Sequence, residues 1–193
     1  MNALRIVDAH HHLWDLGRIH YPWLSDRIRA VVFGDYAAIR RNYLAADFLA
    51  DIGALNVVKS VHIQADCEPS QSVEETRWVQ SVADAPGSRG LPHAIVAYVD
   101  LSKPDAAREL DAHMRSPNLR GIRQMLHHSR TGDPTVSAVE YLDDPTWLAN
   151  LDLLAQRGLS YDIQLFPEQM SRAARVIDEN PTLKFILCHT GSP

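Results

Sequence analysis

The chain has 193 residues, of which 46% are hydrophobic and 22% charged, and its formal net charge is −5. That length holds one domain with a sizeable core. The negative charge argues against a sequence-independent grip on nucleic acid, which needs a basic face, and no window approaches the ~18 consecutive apolar residues of a membrane span.

The N-terminus, "MNALRIVDAHHH", has no basic segment followed by a long apolar stretch, so it reads as lacking a secretion signal. Cys67 and Cys188 lie far apart with no CxxC spacing and read as reduced, buried residues of a cytoplasmic protein.

In chain order, "LRIVDAH" (4–10) reads as a buried strand. An irregular stretch from about 13 to 45 follows, carrying "HYPWLSD". "NVVKSVHIQA" (56–65) is rich in β-branched residues and reads as a second strand, and residues 73–84 as an amphipathic helix. "HAIVAYVDL" (93–101) is the third strand. In "SKPDAARELDAHM", Ser102 is the expected N-cap and Pro104 stands in the first turn. "LRGIRQML" (119–126) is the fourth strand. In "DDPTWLANLDLLAQRG", Asp144 caps, Pro145 takes the first turn and Gly158 ends the helix. "LSYDIQLF" (159–166) is the fifth strand, "PEQMSRAARVIDENP" a helix stopped by Pro181, and "KFILCHTG" (184–191) the sixth strand.

Strands alternating with helices imply an α/β fold with parallel strands. A (β/α)8 TIM barrel needs eight strands in ~250 residues, and six are counted. The expectation is a single domain over 1–193 of (β/α)8 TIM-barrel type, truncated after the sixth strand; the rival is a complete open sheet of six strands.

Side chains alternate along a strand, so His10 and His12 share one face and His11 takes the other. Two histidines at i and i+2 at a strand end are spaced to converge on one ion. Asp8 lies on their face one step deeper, placed to orient a ligand histidine or to be hydrogen-bonded in the barrel floor. His189 at the end of strand six is expected on the same barrel face, with Cys188 turned away. Arg123, inside a strand, is either a fork for a substrate carboxylate or carbonyl, or the partner of a barrel carboxylate. Gln64 and Gln164 are either polar groups lining a pocket or hydrogen-bonded interior residues, and Trp23, beside Tyr21, either covers the pocket or packs against the surface. His127 and His128 read as solvated.

"VDAHHHLWD", "YPWLSD", "GIRQML" and "CHTGSP", in that order and spacing, resemble the amidohydrolase-related metal-dependent hydrolases, in particular the sugar-lactone and pyrone-dicarboxylate-lactone hydrolases. The resemblance spans essentially the whole chain. It implies a (β/α)8 barrel with His10, His12 and His189 around the reaction centre and Arg123 gripping substrate. It implies either one divalent metal ion, zinc or manganese, on these histidines or a metal-independent site, since the branch includes members that work without metal. Gln164 stands where the wider superfamily often has a strand-five metal histidine, which disfavours a two-metal site. The family's strand-eight aspartate, which activates the attacking water, has no counterpart here.

The expected activity is hydrolysis of a lactone from sugar-acid or aromatic-acid breakdown by an activated water. The rivals are a metal-dependent decarboxylase and a catalytically inactive remnant. The expected partner is a small-molecule substrate, with neither nucleic acid nor membrane, in a possible homo-oligomer.

Overall fold

The computed structural model describes residues 4–27, 34–128 and 137–191. Residues 28–33 of the long irregular stretch and the final two of "CHTGSP" lie outside the described residues. The chain forms two compact units, Met1–Ala97 with His113–Leu119 and Tyr98–Ala112 with Arg120–Pro193.

The first unit is built on β1 (Ile6–His11), β2 (Val57–Ile63) and β3 (Ala94–Ala97). β1 pairs parallel with β2, and β2 with β3. Three helices accompany them, α1 (Pro22–Ser25), α2 (Ala45–Ile52) and α3 (Ser72–Asp84). α2 begins inside the stretch read as irregular. Its first turn is closed by Asp47, whose carboxylate accepts from the Leu44 N–H at 2.8 Å. Trp14, Ile19, Tyr21, Leu24, Ala65 and Cys67 form a buried cluster, with Trp23 and Tyr43 packed against it.

The second unit contains nearly all of α4 (Ala106–His113) and β4 (Leu119–Met125), then α5 (Pro145–Gln156), β5 (Ser160–Gln164), α6 (Met170–Glu179) and β6 (Lys184–Leu187). β4, β5 and β6 are parallel neighbours in that order. Asp144 caps α5 as expected, accepting from the N–H groups of Thr146 and Trp147 at 2.8 and 2.9 Å. Trp147, Leu151 and Leu154 are wholly buried. Each removes enough apolar surface from water to contribute about 1.5–3 kcal/mol.

Two boundaries differ from expectation for the same reason. The third strand stops at Ala97, and Ser102 caps nothing. Its N–H and hydroxyl both donate to Asp100 Oδ1, at 3.0 and 2.6 Å, so the polar side chains close a turn of their own before α4 begins at Ala106.

Among the described residues, no helix is long and apolar enough to cross a membrane.

Candidate functional site

In the first unit, the end of β1 carries the histidine run. The rings of His10 and His12 lie edge to face with centroids 5.0 Å apart, and their Nε2 atoms are 3.3 Å apart. The Nδ1–H of His12 donates to the carbonyl of Ile63 in β2 at 2.8 Å. A neutral imidazole that donates from Nδ1 keeps a lone pair on Nε2, so β2 sets the tautomer that a metal or a water requires.

The alternation expected for Asp8 fails. On β1, the steps from Asp8 to His11 oppose Ser60 to His62 on β2, a β-bulge with one extra residue. Asp8 thereby reaches His11. Its Oδ1 accepts from the His10 N–H at 3.2 Å, and its Oδ2 lies 3.2 Å from His11 Nδ1.

His11 is buried, and its ring stacks on Phe48 of α2 at 4.2 Å with an interplanar angle of 16°. Burial outweighs the attraction of Asp8 and lowers its pKa to about 4, so it is a neutral packing residue at neutral pH. His62 is also buried, and its Nδ1 accepts from the Leu13 N–H at 3.2 Å.

The β2–α3 connection is held from both sides. The carboxylate of Glu75, buried in α3, accepts from the Ala65 N–H at 3.1 Å, and the Trp23 indole donates to the Ala65 carbonyl at 2.9 Å. Gln64 is 1% exposed, and its Oε1 accepts from the Asp66 N–H at 2.5 Å, which ties its carbonyl end to its own turn. Trp23 stands edge to face with Trp14 at 5.8 Å. Glu75 escaped the sequence reading, although it breaks the apolar stripe of α3 one turn before Trp78 and Val79, which marks a buried acid.

In the second unit, Arg123 and Asp162 are register partners on β4 and β5, and both are buried. Arg123 Nη1 donates to Gln164 Oε1 at 3.0 Å. Burial pushes the Asp162 carboxyl up to about 6 against the opposing pull of Arg123 and a hydrogen bond from Ser160. Asp162 was passed over in the sequence; its signal was a carboxylate inside an apolar strand. Gln124, the neighbour of Arg123, binds away from it: its Oε1 accepts from the Trp147 indole and the Leu101 N–H, and its Nε2 donates to Asp100.

His189 does not lie within β6. The strand ends at Leu187, and His189 sits in the following turn with a left-handed φ of 49°, exposed. Partial burial and the Arg123 charge lower its pKa. Cys188, expected to turn away, is buried and follows by two residues Ile186, the register partner of Asp162, so ordinary alternation puts it on the Arg123 side of the sheet. His127 is not solvated either. Its ring stacks on Phe166 at 4.4 Å and 16°, and burial, His189 and Arg123 lower its pKa.

Among the described residues, no group of three or more His, Cys, Asp or Glu side chains is placed to hold a metal ion. His10 and His12 supply two nitrogen donors. Two nitrogens each at ~2.0–2.1 Å from a tetrahedral zinc are separated by about 3.3–3.4 Å, so the 3.3 Å spacing fits half of such a shell.

Comparison with known proteins agrees with this arrangement of strands. The amidohydrolase family model matches residues 7–193. The chain belongs to the amidohydrolase family. It is 44% identical over 192 residues to the uncharacterized protein y4mH of Sinorhizobium fredii, covering 99% of this chain and 64% of that protein. It is 25% identical over 187 residues to the L-fucono-1,5-lactonase of Burkholderia ambifaria, covering 97% of this chain and 57% of that one. This amidohydrolase chain thus spans about three-fifths of the length of the curated relatives it matches. Among solved structures, an amidohydrolase from Burkholderia multivorans with bound zinc superposes with a TM-score of 0.70 at 24% identity, over 97% of this chain and 58% of that one. The fold is α/β, of the (β/α)8 type, with six strands among the described residues.

Proposed function

We propose that this amidohydrolase chain carries the early strands of a lactone hydrolase, in which an activated water attacks the carbonyl of a cyclic ester derived from a sugar acid or an aromatic acid. The observation that carries this reading is the His10–His12 pair, with its Nε2 atoms 3.3 Å apart and the His12 tautomer set by the Ile63 carbonyl. The lactonase relative and the zinc-bound structural neighbour support it.

His10 and His12 are the residues that would hold one divalent ion, zinc or manganese. Such an ion, when bound, acidifies water and polarises the ester carbonyl. The protein's own part is to aim both Nε2 atoms at one point and to keep the His12 lone pair available through Nδ1–H donation. Arg123 donates hydrogen bonds to a substrate oxygen while Gln164 fixes its planar group. In the first unit Gln64 is proposed as a polar group of the pocket wall and Trp23 as its cover; in the second, Gln164 and His189 are proposed as polar groups near Arg123.

The test is acid release from 1,4- and 1,5-aldonolactones by the full chain in a pH-stat, with zinc or manganese supplied and again after chelation. Acid release without carbon dioxide is expected. It should fall about a hundredfold or more in His10→Ala and in His12→Ala. Undiminished activity in both variants would sink the proposal.

A further inference from the structure

The second unit holds a charge arrangement that bears on which lactone is accepted. Arg123 and Asp162 face each other across β4 and β5 at 4% and 3% exposure. The guanidinium donates to Gln164 Oε1 at 3.0 Å, and Ser160 Oγ donates to Asp162 Oδ1 at 3.4 Å. Two residues earlier on β4, Gly121 leaves room for this. A Cβ there would lie 2.2 Å from Ser160 Oγ, so only glycine lets the serine hydroxyl stand beside the acid.

Asp162, shifted to about 6, is ionised at pH 8. The pair therefore sums to zero. A second anion brought against Arg123 meets the Asp162 carboxylate in a poorly screened interior.

We propose that Asp162 neutralises Arg123 inside the protein, so that this site accepts an uncharged lactone oxygen and discriminates against a lactone bearing a carboxylate at that position. The inference rests on the lactone-hydrolase reading and adds to it the charge class of the substrate. Asp162 acts through Arg123, as a positioning and charge-balancing residue.

The test is calorimetric binding to the full chain at pH 8 with two unreactive probes, glutarate as the anion and δ-valerolactam as the neutral ring. Wild type should bind the lactam more tightly than glutarate by about tenfold or more. Asp162→Asn should tighten glutarate by about tenfold and leave the lactam within about twofold, and adding Arg123→Gln should remove the gain. A wild-type preference for glutarate, an unchanged glutarate affinity in a folded Asp162→Asn protein, or failure of both probes to bind would overturn the proposal. If that variant does not fold, the wild-type ranking alone decides. Neither probe requires turnover. A chain that opens no lactone yet ranks the probes as expected refutes the hydrolase reading and keeps the charge assignment. A chain that prefers carboxylated lactones keeps the hydrolase and refutes the assignment.

Discussion

The Nδ1–H of His12 donates to the carbonyl of Ile63 at 2.8 Å, across from β1 to β2. In the neutral ring this bond puts the proton on Nδ1 and the lone pair on Nε2, which lies 3.3 Å from His10 Nε2. Zinc or cobalt titration followed by visible spectroscopy should show one nitrogen-rich site. His10→Ala and His12→Ala should each weaken binding by about tenfold or more, because each removes one of two donors. His11→Ala should leave it nearly unchanged, since the His11 ring packs on Phe48. Equal loss in all three would contradict the assignment.

The pKa of His11 falls from 6.5 to about 4 on folding, chiefly through burial. Between those values the unfolded chain binds the proton and the folded chain does not. This contribution to stability is therefore complete above pH 6.5 and is lost as pH falls toward 4. At pH 5 the cost is about 2 kcal/mol. His11→Phe keeps a ring against Phe48 and removes the titration. Urea melts at pH 8 and pH 5 should show the variant gaining on wild type at pH 5; parallel behaviour would refute the neutral-packing role.

Asp162 has the opposite sign. Its pKa rises on folding from 3.8 to about 6 because burial disfavours the carboxylate. Here the folded chain holds the proton longer, so stability is greatest below pH 3.8 and declines as pH rises through 6, by about 3 kcal/mol in all. Asp162→Asn should flatten that slope. The slope is the readout, since the offset between the two proteins also includes the lost partner of Arg123. An unaltered pH dependence would mean that Asp162 is hydrated.

Gly121 stands where a Cβ would fall 2.2 Å from Ser160 Oγ and 3.1 Å from the Ser160 carbonyl oxygen. Gly121→Ala should therefore destabilise the chain by about 1–3 kcal/mol. Adding Ser160→Gly removes the side-chain clash and should recover part of that loss, a coupling that a double-mutant cycle in urea measures. Simple additivity would place the strain elsewhere.

The Trp23 indole donates to the Ala65 carbonyl at 2.9 Å while Glu75 accepts from the Ala65 N–H. Trp23→Phe should lose about 1 kcal/mol. Glu75→Leu should lose more, because it leaves a buried N–H without its acceptor. Equal and negligible losses would mean that this turn is not held by the two side chains.

Much of the architecture could be read from local pattern. Apolar, β-branched runs marked all six strands, since a strand covered on both faces needs apolar residues throughout. Asp144, Pro145 and Gly158 bounded α5 correctly, since caps act within a single turn. Helix α2 was missed because "AADFLADI" lies within a polar, aromatic stretch whose helical stripe is short. The strand-end HxH was legible as a pair because i and i+2 share a face wherever the pleat is regular.

What the sequence by itself determined is the parallel α/β order, the family and the pairing of His10 with His12. Tertiary structure decided the rest. The bulge in β1 turned Asp8 toward His11, the left-handed backbone at His189 took that residue out of β6, and the β4–β5 register set Asp162 opposite Arg123. Local pattern cannot anticipate these. One extra residue in a ladder, or one residue with positive φ, inverts every side-chain direction that alternation predicts, and a cross-strand partner depends on register between segments about forty residues apart.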